Sequence, residues 1–188
     1  MTGERLTADE LQKLVTIARR AVDSAARGRP PSVPDPTDFV PALREPGAAF
    51  VTLRRAGALR GCIGSLAATL PLVVTVADRA RAATLDDPRF TRVTPDELPD
   101  LEVSVSVLSP LEPMPVEGYA ELLAEVRPGV DGLLVEAGRH RATLLPSVWD
   151  DLADPAAFVG ALWRKAWLPE RAWPSGIRVF RYTAQHAG

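Results

Sequence analysis

The densest concentration of chemistry-capable residues in this chain is Leu59-Arg60-Gly61-Cys62-Ile63-Gly64. Two glycines bracket the chain's one thiol, and Arg60 stands just before it. Glycine at a strand end permits close backbone approach or a positive φ, so backbone N–H groups at Gly61 and Gly64 can face a ligand as anion-binding nests do. A guanidinium beside a thiol favours the nucleophilic thiolate. The string thus reads as a thiol or anion site framed by a glycine-permitted loop. The alternative is a buried packing cysteine in a strand that needs a bulge, because free cysteines are usually packing residues. Sequence leaves both open.

Two further segments offer charge. Asp86-Asp87-Pro88-Arg89-Phe90 closes a helical segment. It reads either as a chain reversal anchored by Phe90, or as Asp87 and Arg89 presented at a cleft. Lys165 is one of two lysines among 22 basic residues, the other being Lys13. A lysine offers a compact ammonium that titrates when buried, which arginine does not. Its ordinary role is to complement the C-terminal dipole of its helix. Arg60, Cys62, Arg89 and Lys165 are thus the candidate charged and nucleophilic groups.

Other chemistries find no footing. The histidines are His140 and His186, and no histidine–cysteine pair has ligand spacing, so no metal and no cofactor are expected. His140 sits on a predicted hairpin turn and His186 in the terminal tail, so nothing places a histidine base beside Cys62. The Gly61–Gly64 spacing does not match the dinucleotide fingerprint, and there is no phosphate-binding G-x-x-x-x-G-K or G-x-S-x-G elbow.

The bulk numbers are those of an ordinary globular chain: 188 residues, 46% hydrophobic, 24% charged, net charge −2. That charge supplies no global field for nucleic acid, which is not an expected partner. Residues 52–92 nevertheless hold seven arginines against three aspartates, and residues 95–136 hold ten acids against Arg127. This reads as a dipolar surface with an anion-attracting side, or as solvated faces. No stretch approaches the ~20 apolar residues that span a bilayer. The opening MTGERLTADE lacks the pattern of a secretory signal, and a lone cysteine makes no intramolecular disulfide. The expected location is cytoplasmic.

The elements that must position these residues follow from periodicity. Residues 7–27 predict an amphipathic helix with a Thr7/Glu10 capping box, a Leu6–Leu11 staple and Gly28 as its stop. Residues 30–46 hold six prolines and predict an extended connector anchored by Phe39, Val40 and Leu43. Ala48–Arg54 and Leu59–Ile63 predict a hairpin, 71–85 a helix, and Thr94-Pro95-Asp96-Glu97 the cap of a short helix. Leu101–Leu108 alternates so that Leu101, Val103, Val105 and Val107 share one face of a central strand. Leu133–Glu136 and Arg141–Leu145 predict a second hairpin, Asp154-Pro155 caps a helix to about Trp167, and Ile177–Tyr182 is read as the last strand. Without a βαβ rhythm the class is α+β, largely antiparallel sheet with flanking helices.

Taken together, LRGCIG (59–64), DDPRF (86–90), ELPDLEVSVSVLSP (97–110), DGLLVE (131–136), LLPSV (144–148) and RKAWLP (164–169) resemble the AMMECR domain family in order and rough spacing. The resemblance covers roughly residues 7–182, so 1–188 is read as one such domain. It implies an α+β fold with larger and smaller subdomains and the RGCIG segment lining a cleft between them. The candidate binding residues are therefore Arg60, Gly61, Cys62, Ile63, Gly64, Asp87, Arg89 and Lys165, with Cys62 and Lys165 as candidate catalytic groups. The resemblance also implies that Arg60, Cys62, Arg89 and Lys165 line one anion-favouring cleft. Prokaryotic members are described as protein A of a proposed AmmeMemoRadiSam system. That implies a Memo-like protein and a radical S-adenosylmethionine protein as partners, and attaches no reaction. Two positions depart from the family pattern. Lys165-Ala166-Trp167-Leu168 stands where Lys-Ala-Gly-Leu is usual, so Trp167 either fills space near the lysine or swings outward. Ser147 stands where Gln usually follows Leu-Leu-Pro.

Two functions remain. One is a cleft-based role on a small anionic substrate, carried out with those partners. The other is a non-enzymatic module that docks protein or nucleic acid. The RGCIG string favours the first; the absence of a positioned base favours the second.

Overall fold

The computed structural model describes residues 5–188. In chain order its first elements are α1 (Ala8–Ala26), α2 (Pro41–Arg44), β1 (Ala48–Arg55), β2 (Ala58–Ser65), α3 (Leu72–Leu85) and β3 (Leu101–Leu108). There follow β4 (Glu112–Pro113), α4 (Tyr119–Glu125), β5 (Gly132–Ala137), β6 (His140–Leu144), α5 (Pro155–Lys165), β7 (Arg178–Tyr182) and β8 (Ala184–Ala187). The chain divides into two units, one running to Leu108 and taking in Gln185–Gly188, the other Ser109–Ala184.

In the first unit, α1 starts where its cap requires. The Glu10 N–H donates to the Thr7 hydroxyl at 3.3 Å, and the Glu10 carboxylate accepts the Thr7 N–H at 2.7 Å. Leu14, Val15, Ala18, Ala21 and Val22 are buried on one face, the spacing of an amphipathic helix. Arg27 closes the helix and Gly28 follows at φ +66°, a conformation that glycine adopts without a Cβ penalty.

The proline-rich connector contains a 3-10 turn at Pro36–Asp38 and the short α2. Leu43 is fully buried and Phe39 packs against the core, but Val40 is 41% exposed and anchors nothing. Val40 is the N-cap of α2, with Pro41 as its first residue.

β1 and β2 pair antiparallel around Ala56-Gly57, whose φ values are +49° and +75°. Two consecutive positive φ angles suit the right-handed twist of a tight hairpin. β3 pairs antiparallel with the other side of β1, and the sheet order is β2-β1-β3-β8. Val103 and Val105 are buried, with Leu101 and Val107 packed beside them, so β3 is an interior strand with the predicted apolar face. α1 and α3 cover that face. The expected last strand is not the last: β8 follows it and lies alongside β3. Its AQHA sequence lacks apolar alternation, which is why it was not legible. Gln185 secures it by accepting the Leu6 N–H at 2.8 Å and donating to the Leu6 carbonyl at 2.9 Å.

The second unit has a four-stranded sheet of order β4-β7-β5-β6, each pair antiparallel. Gly138 turns the β5–β6 hairpin at φ +58°. Asp154 caps α5 by accepting the Ala157 N–H at 2.8 Å, and Phe158, Val159, Leu162, Trp163 and Ala166 are buried as expected. Trp149 stacks on Phe158 at 3.9 Å between centroids, and Tyr119 meets Trp163 edge-on at 5.3 Å. The fold class is α+β.

Candidate functional site

The RGCIG string lies inside β2, the edge strand of the first sheet. Cys62 stands opposite Thr52 of β1. Its backbone groups point away from that partner. The Cys62 N–H donates to Asp87 Oδ2 at 2.8 Å, and the Cys62 carbonyl accepts from Arg89 Nη2 at 3.2 Å. Thr52 and Cys62 are thus a non-hydrogen-bonded pair, the kind whose side chains approach most closely. Accordingly Thr52 Oγ1 donates to Cys62 Sγ at 3.4 Å. The thiol is half-buried.

Asp87 and Arg89 therefore close the unpaired edge that β2 would otherwise present. The Asp87 side chain is 2% exposed and accepts from Arg89 Nε at 2.9 Å, Nη2 at 2.7 Å and the Arg89 N–H at 3.1 Å. The Arg89 hydrogen bond is the main cause holding the Asp87 carboxyl down at about 2; burial opposes it, and the Cys62 N–H assists. Asp87 in turn raises the Arg89 guanidinium, with Cys62 a smaller contributor. Arg89 stays 54% exposed, so its outer edge is open to solvent.

Arg60 is placed differently. It grips Glu97 through Nε at 2.8 Å and Nη2 at 3.0 Å, and donates to the Thr91 and Arg92 carbonyls at 2.8 and 3.2 Å. Glu97, which also accepts the Thr94 N–H at 2.8 Å, is lowered to about 2, chiefly by Arg60. The Arg60 side chain is 15% exposed, so its charge ties β2 to residues 91–97 and is not open to a ligand. The Phe90 ring centroid lies 6.0 Å from the Arg60 guanidinium carbon and 5.5 Å from that of Arg89. Of the other arginines in residues 52–92, Arg55, Arg79 and Arg81 also have carboxylate partners.

The two glycines serve packing and form no ligand-facing nest. Both pair in register with β1, Gly61 with Leu53 and Gly64 with Phe50. A Cβ on Gly61 would come within 2.4 Å of the Ala83 carbonyl of α3, and one on Gly64 within 2.1 Å of the Phe50 ring. Ile63 stands opposite Val51 and packs against the core, on the face away from Cys62. The expectation of a glycine-permitted loop is corrected to an edge strand with two close approaches.

The first unit thus brings Cys62, Asp87 and Arg89 together and commits Arg60 elsewhere. Thr52 was missed; only the strand register reveals it. His186 is ordered in β8, with Nδ1 3.3 Å from Ser106 Oγ, which corrects its placement in a tail. β8 lies three strands from β2, about 14 Å at ordinary strand spacing, so it supplies no base for Cys62.

Lys165 belongs to the second unit, where Nζ donates to the Thr143 carbonyl at 2.9 Å. His140 Nδ1 lies 2.9 Å from the Ala166 carbonyl at the same helix end. Trp167 swings outward: it is 85% exposed at φ +57°. The Trp167 N–H donates to Arg164 and the Leu168 N–H to Trp163, a helix stop whose left-handed position favours glycine. Ser147 is exposed in a 3-10 turn. Asp131, the first residue of the DGLLVE string, is fully buried and gripped by Arg127 at 2.6 Å, a pairing the string does not disclose. Tyr182 was likewise missed as a polar group. Burial raises its hydroxyl to about 12, and it meets Thr143 Oγ1 at 2.6 Å.

Among the described residues, no group of three or more histidine, cysteine or acidic side chains is placed to hold a metal ion. No described helix is long and apolar enough to cross a membrane.

Comparison with known proteins agrees with the strings that suggested a family. The AMMECR1 family model matches residues 15–187. A protein of Methanothermobacter thermautotrophicus is 41% identical over 96% of this chain and 94% of its own length. One from Thermofilum pendens is 40% identical over 96% of this chain and 90% of its own. The crystal structure of the uncharacterized protein PH0010 from Pyrococcus horikoshii superposes with a TM-score of 0.88 at 34% identity, covering 96% of this chain and 92% of that one. The chain belongs to the AMMECR1 family.

Proposed function

We propose that this AMMECR1-family protein handles a small anionic substrate at the surface where Cys62 and Arg89 meet. The observation that carries the reading is the Asp87 clamp. One buried carboxylate fixes both the Cys62 backbone and the inner edge of the Arg89 guanidinium, while Arg89 stays 54% exposed. A guanidinium held this way is preorganised for a second, planar anion on its outer edge. The thiol beside it, with Thr52 donating to sulfur, is the nucleophile candidate. Lys165 remains a separate candidate on the second unit. The action belongs to a modification system with a Memo-like protein and a radical S-adenosylmethionine protein; family membership supports that context.

Cys62 is the chain's one cysteine, so alkylation reports on this surface alone. Acetate, oxalate, phosphate and sulfate, compared at constant ionic strength, should protect Cys62 from iodoacetamide saturably, the planar carboxylates best. Protection should vanish in Arg89→Gln with the fold retained by circular dichroism. Equal alkylation with and without every anion would remove the reading.

A second reading, docking of a partner macromolecule, is favoured by Trp167. An 85% exposed indole held in a left-handed conformation brings no packing to its own chain, and tryptophan is the residue most enriched at binding hot spots. Loss of partner capture in Trp167→Gly, with Cys62 protection unchanged, would favour docking.

A further inference from the structure

Within the first unit a groove of about 510 Å³ opens between the end of α1, the connector and the outer face of α3. That volume is in the range of small-molecule sites. Its floor is apolar, made by Ala21, Ala25, Val74, Ala77 and Leu85. Val33 and Leu70 stand over it at 68% and 44% exposure. Neither the family strings nor the Cys62 surface involves this groove.

Its rim carries charge of one prevailing sign. Arg29, Arg81 and Asp78 line it, and Asp78 is already paired with Arg79. Arg29 and Arg81 reach their carboxylates, Asp23 and Asp86, only at 3.4 and 3.5 Å. These are longer than good N–H···O bonds, and such exposed pairs contribute little. Asp23 is held at 2.7 Å by Arg27, which leaves Arg29 the weaker partner. The adjoining surface of α1 carries Arg19 and Arg20 against Asp23, an excess of cations that attracts anions.

We infer that this groove binds a small amphiphilic carboxylate, its aliphatic body on the floor and its carboxylate exchanged for the loose partners of Arg29 and Arg81. An apolar body accounts for the floor, and one anionic head for two weakly engaged guanidinium groups at the mouth.

Titration of octanoate into the ¹⁵N-labelled protein tests the inference, with 1-octanol as the neutral match. Octanoate should shift the amides of Ser32, Val33, Val74 and Ala77 saturably, and 1-octanol should bind about fivefold more weakly, the scale of one exposed charge contact. Arg29→Gln with Arg81→Gln should reduce octanoate to the level of octanol. Ser24→Trp should abolish both by filling the groove. Val33→Asp, at an exposed position that folding tolerates, should repel octanoate more than octanol. No saturable shift at millimolar octanoate, shifts centred elsewhere, or equal affinity for acid and alcohol would overturn it.

Discussion

Asp87 accepts the backbone N–H of Cys62 at 2.8 Å across 25 residues of sequence. That bond joins the LRGCIG and DDPRF strings. The aspartate closes the open edge of β2, and the same carboxylate orients Arg89.

Both clamps make stability depend on pH in the acid range. Asp87 and Glu97 are each held at about 2, below the ~4 of an unfolded carboxyl. Their contribution is complete above the unfolded value and is lost as pH falls from about 5 to about 2. With both side chains largely buried, each is worth on the order of 2 kcal/mol. Urea midpoints should be flat between neutral pH and about 5 and then fall. Asp87→Asn should cost about 2 kcal/mol at neutral pH and flatten its share of the acid slope. An unchanged acid slope in that variant would show that the Asp87 clamp does not form.

The glycine at 64 is a packing residue by this account. Gly64→Ala should cost roughly 1–3 kcal/mol, the usual cost of overpacking, because the Phe50 ring occupies the space of its Cβ. Phe50→Ala combined with Gly64→Ala should cost less than the sum of the two single changes, since removing the ring removes the clash. Strict additivity by chemical denaturation would refute the contact.

Trp167→Gly should stabilise the protein, which is unusual for removal of a tryptophan. The left-handed position costs an L-residue about 1–2 kcal/mol, and an 85% exposed indole gives little back. Glycine also loosens the unfolded chain, so a net gain of about 0.5–1 kcal/mol is expected. A lowered melting temperature would mean that the indole is packed.

The fold was readable where periodicity is strong. α1, β3 and α5 follow apolar spacing and local caps, which act over a few residues. β8 and α4 were not found: AQHA has no apolar alternation, and the short YAELLAE helix rests on one buried residue, Leu122. The candidate site was half legible. Cys62, Asp87 and Arg89 are legible in the RGCIG and DDPRF strings, and they meet. Arg60 adjoins the thiol's segment in sequence, yet its guanidinium is committed elsewhere. Its partner, Glu97, lies 37 positions away, and no local rule links them. Thr52 depends on register, which pairing along the whole hairpin decides.

Whether Cys62 is a reactive thiol beside an open cation is tested most directly by the second-order rate of its alkylation by iodoacetamide at neutral pH. The native protein should react faster than a free cysteine peptide, and Arg89→Gln should slow it toward the peptide rate while the fold persists. A thiol that stays inert until denaturant is added would contradict the account and make Cys62 a packing residue of an edge strand.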